Sequence, residues 1–563
     1  MIAKQTKYLF VSGGVLSGLG KGVVAASLGM LIQNRGYKVG VIKCENYLNI
    51  DSGTINPIEH GDAFLCEDGL EADMDLGTYE RFLGYNMGQR NFTTIGQIYK
   101  TVIDRERSFG YNGEDVEAIP HITDEIIARI KKAGEGHDIL IIELGGTAGE
   151  YQNMLYYEAC RILKAKQPKN VINIHVSYVP LPQHIGEPKT MPTQLSIRTV
   201  MSMGIHPEFL VLRSTATLDK RRRYILGLKC SVPGDNVVMS PDVKSIYEIP
   251  LLFAEQNFDK KILKELGLNY RMQNLVEWRK LVNKIKKEKI KKVKIVIAGK
   301  YFATGDYELP DSYAALIEAI KHVGWYINIE PEIKFVNTEE LEKIGVKLLG
   351  KPDGIIVPIG WGKRGAEGKI IAIKFARENK IPYLGLCYGM QLACVEFARN
   401  VAGLTGANTI EIEPDNKYPI IHDIPMDAKY QTIKGANTSM RLGAYDCVLD
   451  DKTEIAKIYK RHDVCREVTD LYKSSNKITA KGNCIISERH RHRFEFNNEY
   501  REVLEKHGLI FAGTSPDNMF VEMIELSKKD HPFFVATQGH PEYKSRPGKP
   551  HPLFIEFIKA SAK

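Results

Sequence analysis

Short, continuous apolar runs alternate with helical patterns along the first half of the chain. The apolar runs predict strands, and the intervening patterns predict helices at residues 23–34 and 123–132. The predicted strands are residues 8–12, 38–43, 138–143, 171–177 and 209–213. Strands that are apolar throughout, rather than at every second position, are typical of a parallel sheet covered on both faces. We therefore predict an α/β fold with a doubly wound parallel sheet.

The same alternation begins again near residue 293. Strands are predicted at residues 293–298, 354–358 and 382–386, with helices at 312–322 and 370–379. These elements predict a second doubly wound α/β domain. Residues 445–487 are polar and irregular, and we interpret them as an inserted hairpin or loop.

The two halves are joined by a basic segment. Leu275, Trp278 and Ile285 recur at helical spacing within a run that is rich in lysine. A solvated amphipathic helix explains this pattern better than a nucleic-acid patch does. We predict a first domain at residues 1–270, a basic helical linker at 271–292 and a second domain at 293–563.

Length and composition narrow the class of protein. The chain has 563 residues, 43% of them hydrophobic, and a net charge of +8, values that exclude disordered, collagenous and coiled-coil chains. A small net charge on a long chain does not favour a nucleic-acid partner, and no apolar run predicts a membrane partner. Nine scattered cysteines and no secretory leader predict a reducing, cytoplasmic location without a disulfide framework.

A glycine-rich turn follows the first predicted strand and precedes a helix. Its glycines allow main-chain N–H groups to surround phosphates, and Lys21 can reach the terminal ones. Five residues rather than four separate Gly14 from Gly20, and Gly22 replaces the usual Ser or Thr. Magnesium would then need carboxylates, and Asp75 and Glu143 are the candidates. A structural glycine-rich turn is the alternative.

A cysteine lies between two glycines at a strand–helix junction in the second half. Gly385, Cys387 and Gly389 form the pattern of a nucleophile elbow with sulfur in place of oxygen. His540 and Glu542 follow another apolar run, and they can accept the thiol proton and orient the imidazole. The combination predicts a class I glutamine amidotransferase domain.

Taken together, these motifs resemble the CTP synthase family over nearly the whole chain. The segments that carry the resemblance are residues 17–22, 73–77, 79–82, 143–147, 385–391, 488–493 and 540–542. The resemblance implies an N-terminal P-loop domain of the dethiobiotin-synthetase type and a flavodoxin-like glutaminase domain. It also implies that ATP phosphorylates the 4-oxygen of UTP and that ammonia from glutamine displaces the phosphate. Mg²⁺ is the implied cofactor, ATP and glutamine are co-substrates, GTP is a candidate effector, and a homotetramer is the implied assembly.

The resemblance also assigns roles to individual residues. Lys21 and Lys43 would act in phosphoryl transfer, Cys387, His540 and Glu542 in glutamine hydrolysis, and Asp75 and Glu143 would bind Mg²⁺. The other residues implied to bind ATP are Gly18, Leu19, Gly20, Gly22, Val23, Asp242 and Val243. Those implied to bind the pyrimidine nucleotide are Ser17, Lys189, Thr190, Met191, Pro192, Thr193, Gln194 and Arg223. Those implied to bind glutamine are Gly360, Tyr388, Gly389, Met390, Gln391, Glu411 and Arg493.

Three departures from the family pattern leave alternatives open. Met191 and Ile225 stand where lysines contact the pyrimidine nucleotide, and each charge-assisted contact is worth ~1.5–3 kcal/mol. Arg222 or Arg223 would compensate, or the substrate would be another uridine nucleotide with fewer phosphates or another carbonyl compound. Ile359 replaces a glycine beside the expected oxyanion hole, where it would narrow the pocket. A non-catalytic scaffold is a third reading, which the retained Lys21 and catalytic cysteine oppose.

Overall fold

The structure is a computed structural model, and the chain divides into two compact units. The structure describes residues 5–55, 61, 63–301, 303–304, 307–308, 310–426, 431–432, 439–467 and 484–563. The first unit comprises Met1–Thr54 and Asp75–Ile285, and the second comprises Ile55–Met74 and Lys286–Lys563. Residues 55–74 therefore group with the second unit, although they precede most of the first unit along the chain.

Strands and helices alternate along the N-terminal half, as the apolar pattern predicts. Its strands are β1 (Lys7–Gly13), β2 (Val39–Glu45), β3 (Phe64–Leu65), β4 (Glu71–Ala72), β5 (Phe92–Thr94), β6 (Ile139–Leu144), β7 (Val171–Tyr178), β8 (Phe209–Ser214) and β9 (Val237–Pro241). Its helices are α1 (Lys21–Gln33), α2 (Met74–Leu83), α3 (Ile95–Arg107), α4 (Thr123–Gly134), α5 (Met154–Lys166), α6 (Met191–Ser202), α7 (Lys220–Lys229), α8 (Ile249–Glu255), α9 (Phe258–Glu265) and α10 (Val276–Lys286).

The first unit is built on one parallel sheet. Seven strands lie in the order β5-β2-β6-β1-β7-β8-β9, and every neighbouring pair is parallel. Strands β1, β2 and β6 are buried almost throughout, which explains why their sequences show no alternation. The carboxyl ends of these strands share one edge, where ligands bind in open α/β sheets. The predicted doubly wound fold is confirmed.

The C-terminal half contains a larger, mixed sheet. Its strands are β10 (Lys292–Gly299), β11 (Ala303–Thr304), β12 (Tyr307–Glu308), β13 (Glu330–Asn337), β14 (Gly354–Val357), β15 (Tyr383–Leu386), β16 (Asn408–Thr409), β17 (Pro419–Asp423), β18 (Gln431–Thr432), β19 (Ser439–Leu449), β20 (Arg466–Glu467), β21 (Cys484–His492), β22 (Phe494–Phe496), β23 (Leu509–Thr514), β24 (Val521–Leu526) and β25 (Phe534–Thr537). Its helices are α11 (Ala314–Ile327), α12 (Thr338–Ile344), α13 (Ala366–Glu378), α14 (Tyr388–Asn400), α15 (Glu454–Arg461), α16 (Arg501–Lys506) and α17 (Pro552–Ser561).

The main sheet of the second unit changes character along its width. Strands β13-β10-β14-β15-β25 are parallel, and β24, β23, β19, β21 and β20 continue the sheet in antiparallel pairs. Apolar side chains on both faces of the parallel part form two large cores. The α/β class predicted for this half is confirmed, and the antiparallel extension was not predicted.

The segment interpreted as an inserted hairpin or loop has more structure than its composition indicates. Residues 441–449 of β19 pair with 484–492 of β21, and α15 lies between these strands along the chain. Residues 468–483, also part of that interpretation, lie outside the described residues. The loop alternative is therefore wrong for the strand and helix residues of this segment, whereas the antiparallel pairing of β20 with β21 fits the hairpin alternative. Buried Ile455 and Tyr459 on α15 supply the tertiary packing that overrides local polarity.

One disulfide bond contradicts the expectation of reduced cysteines. Cys465 and Cys484 are bonded, with Cα atoms 5.1 Å apart, because β20 pairs with the start of β21. The other seven cysteines, including Cys387, are free and buried. Among the described residues, no helix combines the length and the apolar character that crossing a membrane would require.

Candidate active sites

The glycine-rich turn of the first unit links β1 to α1 and is shaped by close contacts. Gly20 precedes the helix with a φ of 83°, a left-handed conformation that glycine adopts without strain. A Cβ atom on Gly14 would lie 1.9 Å from the Ser196 Oγ atom, and one on Gly22 would lie 2.2 Å from Asp75 Oδ1. The turn thus needs glycine at these positions because side chains from other elements close over it.

Two lysines point into the edge beside this turn. The Lys21 ammonium at the start of α1 donates to the carbonyl of Gly146, in the loop after β6. Lys43 on β2 lies opposite Glu143 on β6, and its Nζ atom is 2.7 Å from Glu143 Oε1 and 2.6 Å from Asp75 Oδ2. The structure therefore brings together four residues that were predicted from separate motifs.

Burial and charge act in opposite directions in this cluster. Burial alone would lower the pKa of Lys43, but the carboxylates of Asp75, Glu143 and Glu45 outweigh it and raise that pKa well above its ordinary value. Burial, together with the neighbouring Lys43, lowers the pKa of Lys21. Burial also raises the pKa of Glu143, although Lys43 opposes this. Lys43 is thus held as a cation.

The acidic residues of the cluster fit a hard cation. Asp75 and Glu143 supply oxygen donors, and both approach the first turn of α1 over Gly22. The two carboxylates already form ion pairs with a cation, because the Lys43 ammonium lies between them. Mg²⁺ is usually bound by one or two carboxylates together with phosphate oxygens. Among the described residues, no group of three or more His, Cys, Asp or Glu side chains is arranged to hold a metal ion, so bound Mg²⁺ would need phosphate oxygens as well.

Sequence reasoning missed Glu45 and Tyr79 in this cluster. The Glu45 Oε1 atom lies 3.1 Å from Lys43 Nζ, and the buried Tyr79 hydroxyl donates to Glu143 Oε2. Glu45 follows Lys43 by two residues on the same strand, so it lies on the same face. The alternation of side chains along β2 could therefore have identified Glu45 from the sequence. Tyr79 lies one helical turn after Asp75, which was the signal for that residue.

A buried histidine beneath the glycine-rich turn was also missed. His175 Nδ1 lies 2.9 Å from Ser12 Oγ, and its Nε2 atom lies 2.7 Å from Ser196 Oγ. Burial, with a contribution from Lys21, lowers the pKa of His175 to about 3, so the ring is neutral. The ring links β1, which carries the turn, to helix α6. No local pattern in the sequence distinguishes His175 from an ordinary strand residue.

Six of the eight residues predicted to bind the pyrimidine nucleotide, 189–194, lie at the start of α6. The Thr193 hydroxyl is buried and donates to the Tyr178 carbonyl, and Gln194 Nε2 donates to the Thr190 hydroxyl. Met191 is 58% exposed at the first position of the helix. Of the other predicted members, Ser17 is exposed, and Lys189 and Pro192 are half-buried. Arg223 has a buried Nε atom that makes no hydrogen bond to the described residues.

The remaining residues predicted to bind ATP lie along the carboxyl edge of the sheet. Asp242 follows β9 and accepts a 2.8 Å hydrogen bond from Arg213 on β8. Arg213 also lies 4.0 Å from the position of a Cβ atom on Gly20, so it connects Asp242 with the glycine-rich turn. Sequence reasoning did not name Arg213. The other predicted members are exposed Gly18, buried Leu19, and half-buried Val23 and Val243.

Cys387 of the second unit lies on a strained turn between β15 and α14. Its φ of 53° is a left-handed value that non-glycine residues rarely adopt. The turn is tightly packed, since a Cβ atom on Gly389 would lie 2.0 Å from the Val357 carbonyl oxygen. The Cys387 side chain is buried at the N-terminus of α14. This geometry is that of a nucleophile elbow.

His540 and Glu542 form a buried pair after β25. The His540 Nδ1 and Glu542 Oε1 atoms are 2.7 Å apart. Burial alone would lower the pKa of His540, but the Glu542 carboxylate and Cys387 raise it to about 10. The Nε2 atom of His540 is buried and makes no hydrogen bond to any residue that the structure describes. This atom is therefore free for chemistry beside the thiol.

Several residues predicted to bind glutamine offer unpaired polar atoms. Gln391 Oε1 and Glu411 Oε2 are buried without a hydrogen-bond partner among the described residues. Burial raises the pKa of Glu411, although Lys300 opposes the shift. Gln391 Nε2 donates to the Phe494 carbonyl, which anchors the amide. The remaining members are Gly360, Tyr388 and Met390, which are buried, and Arg493, which is half-buried.

The predicted basic segment at residues 488–493 is buried within the second unit. Arg489 donates to the Leu65 carbonyl, and Arg491 Nε lies 2.5 Å from Glu71 Oε1. The main chain also meets the thiol, because the Arg491 carbonyl lies 3.7 Å from Cys387 Sγ. Residues 63–72, which contain β3 and β4, thus contact β21, the strand whose main chain meets the Cys387 thiol. The Arg489 and Arg491 side chains are therefore buried ties between β21 and residues 63–72.

Comparison with known proteins identifies the family. The model described as "CTP synthase N-terminus" matches residues 7–268, and "Glutamine amidotransferase class-I" matches residues 308–560. A CTP synthase of Carboxydothermus hydrogenoformans is 46% identical over 563 residues, covering 99% of both chains. One of Caldanaerobacter subterraneus is 45% identical over 560 residues, covering 99% of this chain and 98% of its own. The chain belongs to the CTP synthase family.

A solved structure is similar to part of the chain. The glutaminase domain of a Trypanosoma brucei CTPS with bound acivicin is 31% identical, with a TM-score of 0.39, and covers 48% of this chain and 94% of its own. As a CTP synthase family member that matches its relatives over 99% of this chain, the protein is a ligase with a glutamine amidotransferase domain. A related ligase for another uridine nucleotide or carbonyl compound is not favoured.

The family assignment makes the position of Ile359 informative. Ile359 is 4% exposed and belongs to the same hydrophobic core as Leu386 and Cys387. Its side chain therefore packs against the core that also contains the nucleophile. The expectation that it narrows the substrate pocket stays a prediction. Met191 and Ile225 are 58% and 40% exposed, so neither forms core contacts that would explain its departure from the CTP synthase pattern.

Proposed function

We propose that the enzyme couples two reactions that the two units carry out. In the first unit, the γ-phosphoryl group of ATP is transferred to the 4-oxygen of UTP. In the second unit, glutamine is hydrolysed at Cys387 to glutamate and ammonia. Ammonia then displaces the phosphate, so that ATP, UTP, glutamine and water yield ADP, phosphate, CTP and glutamate. Phosphorylation is required because oxygen is a poor leaving group until it carries phosphate.

The observation that carries this proposal is the buried pair of His540 and Glu542 beside the strained turn of Cys387. The thiolate attacks the carboxamide carbon, and imidazolium Nε2 of His540 gives its proton to the departing ammonia. Glu542 orients the ring through Nδ1, at 2.7 Å. The same imidazole then removes a proton from the water that hydrolyses the thioester. The unpaired buried atoms of Gln391 and Glu411 are suited to hold the amino-acid end of glutamine.

In the first unit, cations and oxygen ligands are arranged for phosphoryl transfer. Lys21 and Lys43 would stabilise the charge on the transferring group, which catalysis of this reaction requires above all. Asp75 and Glu143 would hold Mg²⁺, which when bound neutralises phosphate charge. The turn that ends at Gly22 would surround the phosphates with N–H groups.

The assembly and regulation follow as finer proposals. Met191, Leu195 and Ile225 leave apolar surface exposed on α6 and α7, which supports a homo-oligomer, with the tetramer as the expected form. Light scattering after gel filtration tests this expectation. GTP as effector and a cytoplasmic location are further proposals that rest on the family alone.

Heavy-nitrogen transfer tests the central proposal. Glutamine labelled at its amide nitrogen, with UTP, ATP and Mg²⁺, should give CTP labelled at the 4-amino group. Cys387→Ala should abolish that transfer and retain CTP synthesis from ammonium chloride. If the wild-type protein hydrolyses glutamine and no label reaches any nucleotide, the coupling is disproved.

A further inference from the structure

The loop after β14 has an unusual set of main-chain contacts. We call residues 358–362 the 358–362 loop. Each of its five carbonyl groups accepts a hydrogen bond from a side chain elsewhere in the second unit. Side chains rather than other peptide groups therefore define the path of this loop.

Lys369 makes two of these contacts from helix α13. Its Nζ atom lies 2.8 Å from the Pro358 oxygen and 3.4 Å from the Gly360 oxygen. The side chain is fully buried, and its hydrogen-bond partners among the described residues are these two carbonyls. A buried ammonium is costly, so a lysine in this place needs a reason beyond packing.

Three further side chains hold the other carbonyls. The Tyr313 hydroxyl lies 3.0 Å from the Ile359 oxygen, and the Tyr388 hydroxyl lies 3.3 Å from the Gly362 oxygen. The Lys300 ammonium donates to the Trp361 carbonyl. These donors come from three separate segments of the chain, so the loop is held from several directions.

Gly360 is the residue on which this arrangement depends most. It has a φ of 149°, and a Cβ atom there would lie 2.7 Å from Lys369 Nζ. Glycine thus admits the ammonium to the inner side of the loop. The planar trans peptide places each N–H opposite the preceding carbonyl, so the two carbonyls held by Lys369 aim the N–H groups of residues 359 and 361 away from it. The Ile359 carbonyl, held by Tyr313, aims the N–H of residue 360 away from Tyr313.

The loop lies beside the nucleophile. Val357, the last residue of β14, pairs with Gly385 on the parallel strand β15, so the 358–362 loop and Cys387 leave the sheet at the same edge. Lys369 Nζ also lies 5.1 Å from the ring centroid of Tyr388, the residue after the cysteine. The loop N–H groups are therefore in the region where the carboxamide oxygen gains negative charge.

We propose that Lys369 is a positioning residue for glutamine hydrolysis: it fixes the 358–362 loop so that main-chain N–H groups stabilise the oxyanion formed when Cys387 attacks glutamine. Lys369 does not touch the substrate. Tyr313 assists through the Ile359 carbonyl. The inference rests on the proposed role of Cys387 as nucleophile and adds the device that orients the oxyanion donors.

The test compares Lys369→Met with Lys374→Met, a control on the exposed side of the same helix. Loss of oriented oxyanion donors should lower kcat for glutamine hydrolysis by ~10²-fold in Lys369→Met, with little change in glutamine KM. Alkylation of Cys387 by iodoacetamide forms no oxyanion, so its rate should stay at the wild-type value. CTP synthesis from ammonium chloride should also be unchanged. Lys374→Met should resemble wild type throughout.

A second variant keeps the proposal testable if Lys369→Met does not fold. Tyr313→Phe removes one hydroxyl without changing volume, and we expect a smaller loss of kcat, ~10-fold. The control for Tyr313→Phe is Tyr326→Phe, at an exposed position of α11, the helix that follows Tyr313. Unchanged glutamine hydrolysis in both Lys369→Met and Tyr313→Phe would overturn the proposal. A parallel loss of hydrolysis and of Cys387 alkylation would also overturn it. If wild-type protein shows no hydrolysis, or Cys387→Ala retains it, the proposed function itself fails.

Discussion

Lys43 and Glu143 lie directly opposite each other on neighbouring parallel strands, and the Lys43 Nζ and Glu143 Oε1 atoms are 2.7 Å apart. Both side chains are buried, so neither charge can be compensated by water. Removal of Lys43 would leave the buried Glu143 carboxylate uncompensated. Removal of Glu143 would leave Lys43 with Asp75 and Glu45 as its partners. The pair therefore stabilises the first unit and also places a cation and an oxygen ligand beside the glycine-rich turn.

Replacement of Glu143 by Gln tests both roles. We expect Glu143→Gln to lower CTP synthesis by ~10²-fold or more with either glutamine or ammonia, because a charged group at the phosphate site is lost. The free energy of unfolding should fall by less than the ~3–5 kcal/mol usual for breaking a buried ion pair, because Asp75 and Glu45 still face Lys43. Steady-state assays and denaturant unfolding measure the two effects.

The matched control for Glu143→Gln is Asp104→Asn. Asp104 forms an exposed pair with Lys100 on α3, which should contribute ~0–1 kcal/mol. Retention of wild-type CTP synthesis by Glu143→Gln would contradict the proposed magnesium site.

The pair of His540 and Glu542 predicts a pH dependence of stability. The pKa of His540 is about 10 in the folded protein, above its ordinary value of 6.5. The bound proton therefore stabilises the fold fully below pH 6.5, and this stabilisation is lost as pH rises through 10. Glu542→Gln should flatten the decline, since the carboxylate that raises the pKa is gone. Urea unfolding across this range measures the change, and an unaltered slope would be inconsistent with the pairing.

His175 predicts the opposite behaviour in acid. Its pKa is about 3 in the folded protein and 6.5 otherwise, so the folded state binds fewer protons between those values. Stability should decrease as pH falls from 6.5 towards 3, because unfolding allows the ring to be protonated. His175→Gln should reduce this acid sensitivity, whereas His507→Gln, at an exposed position, should not. Equal acid sensitivity of the two variants would exclude His175 as the source.

Met191 predicts a gain of affinity on substitution. Met191→Lys restores a cation at an exposed position of the proposed pyrimidine site, and we expect the KM for UTP to fall by ~5–10-fold at low salt. The effect should shrink at high salt because the new charge is screened. Met272→Lys is the control, since Met272 is 92% exposed and lies outside the predicted site. The same KM in both variants would show that residue 191 does not face the triphosphate.

Much of the fold could be predicted because periodicity is a local property. The continuous apolar runs of β1, β2 and β6 and the glycine-rich turn after β1 are visible within short windows of sequence. Helix α15 was missed although Ile455, Ile458 and Tyr459 recur at helical spacing, because the segment around it is polar on average. The disulfide between Cys465 and Cys484 could not be predicted in this way, because it depends on how β20 pairs with β21.

The candidate sites divide in the same manner. Cys387, His540 and Lys21 stand in recognisable local patterns, so the sequence by itself determined their identity and the chemistry they suit. Only the tertiary structure decided that His175 joins Ser12 across 163 residues and that Lys369 holds the 358–362 loop. The physical reason is that a hydrogen bond depends on positions in space, and residues distant along the chain meet only after the sheets have formed. Ile359 shows the same limit, since its burial follows from packing against neighbouring strands rather than from its sequence neighbours.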